Sequence, residues 1–236
     1  MALGEMERPD FIVFSDTQHE AQGTYAFKAK WEPWLQRHGL TTVTVQGKRT
    51  GVVVPAFTID NNGKQGQVRR QCTGDWKITP VRKFLSDELK RRNVAKSAGV
   101  VEMWMGISWD EAHRMKDSDV AYITNAYPLI DRRLRRVDCR AWLDLHDLPS
   151  PPKSACTFCP FHNKIAWAEL KRVGGADWDE AVAVDTYIRD KRPPGELFIH
   201  PARLPLEQAV SIPEDVGAHQ LSMYDDGSCD SGYCFT

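Results

Sequence analysis

The chain alternates short apolar runs with stretches in which apolar residues recur every three or four positions. Phe11–Ser15 is an uninterrupted run, bounded by Pro9 and by the polar residues Asp16–Glu20, and predicts a buried strand. A helix is expected from about Ala21, with Phe27, Trp31, Trp34, Leu35 and His38 on one face and Pro33 as a kink or break. Thr42–Val45 and Gly51–Phe57 are β-branched enough for strands, and the polar stretch Asp60–Gln67 reads as a loop. Thr79-Pro80 predicts a helix start, with Thr as cap and Pro at the first helical position. Its core face would be Val81, Phe84, Leu85 and Leu89, opposite Arg82, Lys83, Lys90 and Arg91. Val100–Trp104 and Val120–Thr124 are further strand candidates. Ser108–Glu111 and Asp177–Glu180 have capping spacing and predict helices reaching Lys116 and about Arg189.

Strands alternating with helices favour an α/β parallel sheet over residues 1–145. A helix-rich, cysteine-bearing part follows over 146–223, and a Gly-, Ser- and Asp-rich tail over 224–236 is expected to be flexible. With 236 residues, 42% of them hydrophobic and 27% charged, the chain can bury a real core. Lys and Arg number 31 against 32 Asp and Glu, a formal charge of −1, which argues against a wholesale polyelectrolyte binder. The run Arg132–Arg136 with Arg140 is the densest positive charge, either a solvated face or a contact for phosphates or nucleic acid. Apolar runs are strand-sized and no charged-then-apolar leader opens the chain, so a cytoplasmic protein outside the membrane is expected.

Six cysteines in such a chain ask for a reason other than disulfides. Cys72 and Cys139 stand alone, Cys156 and Cys159 form a Cys-x-x-Cys, and Cys229 and Cys234 lie in the tail. Thiolates suit zinc or an iron–sulfur cluster, and buried hydrophobes are the alternative for the lone ones. Lys77, just ahead of the helix expected at Thr79, would offer an anion a cation and free backbone N–H groups together. Arg114 could complete a clamp, and Asp16 and Thr17 close a strand where ligands bind open α/β sheets.

Several local patterns occur in one order: Phe14-Ser-Asp-Thr17 with Glu20 and Tyr25, Gln71-Cys-Thr-Gly-Asp-Trp-Lys77-Ile-Thr-Pro80, and Trp104-Met-Gly106 with Glu111 and Arg114. Tyr127-Pro-Leu129, Leu148-Pro149, Cys156-Thr-Phe-Cys159-Pro160 and His200 with Pro205-Leu206 continue the series. The ordered set resembles the phosphoadenylylsulfate (PAPS) reductase family, in its phage-type form, within the adenine-nucleotide α-hydrolase-like superfamily of Rossmann-like folds. The resemblance runs from about residue 10 to 206. It implies sulfonucleotide reduction or sulfur transfer, with Asp16, Thr17, Lys77 and Arg114 holding ATP or PAPS and a thiol reductant protein as partner. A nucleic-acid-binding or nucleic-acid-modifying module with a decayed nucleotide site is the alternative.

The resemblance also implies a 4Fe–4S cluster. Gln71 stands where the family has the first cysteine of a pair, and Cys139 could supply the missing ligand beside Cys72, Cys156 and Cys159, a set that zinc would accept as well. Family reductases attack sulfur with a cysteine of a flexible C-terminal tail, which would make Cys229 or Cys234 the catalytic nucleophile, although the family's Glu-Cys-Gly context is absent. Its Ser-Gly-Gly-x-Asp-Ser phosphate loop is absent too. In the resembled fold the strand before that loop lies mid-sheet, and its loss would leave backbone groups unpaired, so a fragment of a longer chain is expected.

Overall fold

The computed structural model describes residues 3–48 and 54–212. In chain order the elements are β1 (Ile12–Asp16), α1 (Gln22–Arg37), β2 (Thr42–Gln46), β3 (Phe57–Ile59), β4 (Gln65–Gln67), α2 (Thr79–Arg91), β5 (Val101–Trp104), β6 (Ile123–Ala126), α3 (Pro128–Asp131), α4 (Arg136–Leu145), α5 (Lys164–Val173), α6 (Gly175–Ile188), β7 (Glu196–Phe198) and α7 (Leu206–Ala209). A π-helical turn, Gly74–Ile78, precedes α2, and a 3-10 turn, Trp109–Arg114, follows β5. The chain is mixed α/β and forms two compact units. One comprises the residues up to Pro80 and again from Lys153, and the other comprises Val81–Pro152. The boundary expected at 145–146 coincides with the end of α4, inside the second unit.

In the first unit β1 pairs in parallel with β2, from Ile12 opposite Thr42 to Asp16 opposite Gln46, with α1 as the crossover. A three-stranded antiparallel sheet, in the order β4-β3-β7, lies in the same unit. Its core gathers Val54, Ala56, Trp76, Phe158, Trp167 and Leu197, with Ile199 and Leu206 beneath. Asp185, 2% exposed, fastens this region: its carboxylate accepts the backbone N–H groups of Ile199 at 2.9 Å and Leu206 at 3.1 Å. In the second unit β5 pairs in parallel with β6, from Val101 opposite Ile123 to Trp104 opposite Ala126. Ile107, Tyr127 and Ile130 form a smaller core there. Among the described residues, parallel pairing is confined to these two pairs.

Several sequence expectations need correcting. Pro33 does not break α1, and both Pro33 and Ala29, whose carbonyl Pro33 leaves without its helical donor, are exposed residues. The stretch 60–67 is a hairpin rather than a loop. The Asp60 carboxylate accepts the N–H groups of Asn62 at 2.9 Å and Lys64 at 2.8 Å, and Gly63 takes a φ of 77°. α2 starts at Thr79 as expected, but Thr79 does not cap a free helix end. Cys72 and Thr73 are already helical, Thr79 has helical dihedrals, and its N–H donates to the carbonyl of Gly74. Pro80 has no N–H to offer the carbonyl of Trp76, four residues back, and that carbonyl accepts instead from Ser15 Oγ at 2.8 Å. Asp177 caps α1 rather than α6, its two carboxylate oxygens each 3.1 Å from the N–H of Gln22. Ser108–Glu111 yields only the 3-10 turn, β6 begins at Ile123, and the strand expected at Gly51–Phe57 falls partly outside the described residues.

Candidate functional site

At the C-terminal end of β1 the chain turns sharply. Gln18 takes a φ of 62°, held by its N–H donating to Asp16 Oδ1 at 2.7 Å. Asp16 also accepts from the Tyr25 hydroxyl at 2.8 Å and from Gln46 Nε2 at 2.9 Å. Burial alone would raise its carboxyl, but the hydrogen bonds from Gln46, Tyr25 and Gln18, with the charge of Lys28, outweigh it and hold Asp16 below the ordinary range. Tyr25 moves the opposite way: burial and its bond to Asp16 raise the phenol.

The turn aims Thr17, His19 and Glu20 at the segment that carries Cys156. Glu20 is 2% exposed and is the hub. It accepts from Thr17 Oγ1 at 3.2 Å and Ser154 Oγ at 2.9 Å, and Lys77 Nζ lies 3.6 Å from it. Thr17 Oγ1 in turn accepts the N–H of His19 at 3.3 Å and the Cys156 thiol at 3.4 Å. The backbone N–H of Thr157 donates to the carbonyl of His19 at 2.9 Å, so the two segments are joined by main chain as well. Glu180 of α6 closes the group, at 2.7 Å from His19 Nδ1 and accepting from Thr157 Oγ1 at 2.7 Å. Beneath it the indole Nε1 of Trp76, a 6% exposed residue, has no hydrogen-bond partner.

Of the expected site residues, Asp16, Thr17, Lys77 and Cys156 come together here. Lys77 is not the cation at a helix N-terminus that the sequence suggests, since the helix runs on upstream and Lys77 faces a buried carboxylate. Arg114 belongs to the second unit, where it pairs with Glu111 at 2.8 Å. Cys139 is on α4 of that unit, its thiol raised by burial and by Asp138 and Asp110. Cys229 and Cys234 lie outside the described residues.

Cys72 and Cys156 pack on the first unit's core, and none of Cys72, Cys139, Cys156 and Cys159 is in a disulfide. Among the described residues no three His, Cys, Asp or Glu side chains are grouped as metal ligands. Burial and the nearby Glu20 charge push the Cys156 thiol up to about 12. Cys72, Cys156 and Cys159 belong to the first unit and Cys139 to the second.

His19, Glu20, Ser154, Thr157 and Glu180 were not among the expected site residues. Thr17-x-x-Glu20 has the spacing that lets a hydroxyl and a carboxylate meet, which is the one signal for the hub in the sequence. Glu180 reads there as part of a helix cap.

No protein-family model, no curated protein and no solved structure matches the chain. Among the described residues no helix is long and apolar enough to cross a membrane.

Proposed function

We propose that the chain is a PAPS-reductase-like protein whose first unit binds an adenine nucleotide at the C-terminal end of β1, in the service of sulfonucleotide reduction or sulfur transfer. The observation that carries this reading is the meeting of Asp16 and Thr17, Lys77, and the Cys156 segment around one buried carboxylate. All three belong to the ordered motif set, and the strand end is where open α/β folds bind ligands.

The chemistry of the cluster suits the nucleoside end of the ligand. The partly exposed Asp16 carboxylate at the strand end is an acceptor, fit for an exocyclic amino group or ribose hydroxyls. Lys77 is the cation within the group, and a phosphate reaching it competes with Glu20. The reading rests on these residues and not on a metal. Arg114 stays with the second unit, and no step is assigned to Cys229 or Cys234.

Titration of the purified protein with adenosine, ATP and PAPS is the test. Saturable binding is expected, weakened by about 1.5–3 kcal/mol in Lys77→Ala for the phosphorylated ligands, the scale of a charge-assisted contact. Adenosine should be insensitive to that change and sensitive to Asp16→Ala. A folded protein that binds none of the three overturns the reading. The nucleic-acid alternative has less support, since Arg135 pairs with Asp138 at 3.2 Å and Arg136 with Glu111 at 3.3 Å. Salt-steep DNA or RNA binding without nucleotide binding would restore it.

A further inference from the structure

We propose that Cys156 and Cys159 are a dithiol switch whose oxidation to a disulfide withdraws Cys156 from Thr17 and unlatches the Cys156 segment from β1. The proposal stands apart from the nucleotide reading and needs only the geometry of the turn. The N–H of Cys159 donates to the carbonyl of Cys156 at 3.1 Å, which closes a four-residue turn. Such a turn holds its end Cα atoms within about 7 Å. A disulfide needs Cα atoms roughly 4.4–6.8 Å apart, so the backbone already places the pair in bridging range.

A second turn follows, with the N–H of His162 donating to the carbonyl of Cys159 at 3.0 Å and the ring Nε2 of His162 2.9 Å from the carbonyl of Cys156. The turn is therefore braced on both sides, and bridging needs side-chain rotation rather than movement of the chain. Neither cysteine is in a disulfide and both are half-buried. The reduced state has a use for one of them: the Cys156 thiol donates to Thr17 Oγ1, the hydroxyl that also holds Glu20.

The oxidant is a small-molecule disulfide such as glutathione disulfide. Cys159 as thiolate attacks it and expels one glutathione thiolate. Cys156 then gives up its proton, attacks the Cys159 sulfur and expels the second. The protein loses two electrons and two thiol hydrogens, and the oxidant leaves as two thiols. Once bridged, the Cys156 sulfur has no hydrogen to donate. Thr17 loses that partner, and the Glu20↔Cys156 bridge loses the side-chain bond that reinforces it.

Peptide mapping and hydrogen exchange of the whole protein test this together. Ser154–Lys164 contains both cysteines, so after treatment with glutathione disulfide and alkylation that peptide should lack two hydrogens and regain them with dithiothreitol. Backbone exchange over 17–21 and 154–157 should quicken by about tenfold in the oxidised protein. Cys159→Ser keeps the bond from Cys156 to Thr17, so its exchange should not respond to the oxidant. Thiols that stay free, or that pair only with glutathione or with Cys72, overturn the switch. A disulfide that leaves exchange unchanged overturns it as well, because the latch would then be independent of the thiol.

Discussion

Glu20 illustrates how much a single buried carboxylate can organise. Its two oxygens serve Thr17, Ser154 and Lys77, with Lys77 itself 16% exposed. Glu20→Ala removes the acceptor of two hydroxyls and the carboxylate that faces the largely buried Lys77 ammonium. A loss of about 3 kcal/mol in denaturant unfolding is expected, with Glu20→Gln milder because it keeps one acceptor oxygen. His162 gives a second residue-scale prediction. Burial holds its ring at about 4, below the ordinary value of 6.5, so the folded protein keeps it neutral. The unfolded chain takes up the proton first, and stability is therefore full above pH 6.5 and declines as pH falls towards 4. The decline attributable to His162 is roughly 3 kcal/mol. Urea unfolding at stepped pH should show that limb in the wild type and lose it in His162→Gln. The Thr17-x-x-Glu20 spacing hints at Glu20 but not at its burial, and a His after a Cys-x-x-Cys-Pro looks like a surface position until the burial around it is known.

The π-helical turn ahead of α2 shows an element shaped by another. Pro80 cannot donate to Trp76, and Ser15 at the end of β1 supplies the missing bond. Ser15→Ala should cost about 1 kcal/mol in the natural background. In a Pro80→Ala background, where residue 80 regains its N–H, the same change should cost much less. A double-mutant cycle followed by thermal unfolding measures that coupling, and strict additivity would show that the two donors do not share the carbonyl. The sequence located β1, α1, β2 and β5 closely, since each has a clean apolar or β-branched run. It placed the start of α2 at Thr79 but took Thr-Pro for a cap on a free helix end, whereas residues 72–78 are already helical and run into α2. The hairpin of β3 and β4 was hidden by its polar residues, although Asn61-Asn62-Gly63 after Asp60 carries the turn chemistry.

At the scale of the whole molecule the two units differ in how much they bury. The first gathers two tryptophans, Phe158 and a set of aliphatic side chains into one core, and the second centres on Ile107, Tyr127 and Ile130. Amide exchange at Met103 and Asn125 should therefore be at least about tenfold faster than at Leu197 and Ile199, and equal protection would mean that the units open as one. The alternation of strands and helices made the α/β class legible. The separation of the parallel strands into two pairs was not, because pairing partners are chosen by tertiary packing and leave no periodic trace. The contact between Thr17 and Cys156 has a consequence for biosynthesis. Its two halves leave the ribosome 139 residues apart, with the whole of the second unit made between them. Val81–Pro152 can fold as soon as it emerges, while β1 and β2 must wait for Ser154, Cys156 and α6 before Glu20 has its partners. Translation thus leaves the turn after β1 waiting longest, and a nascent chain stalled before Lys153 would hold Thr17, His19 and Glu20 without Ser154, Cys156 or Glu180 to meet them.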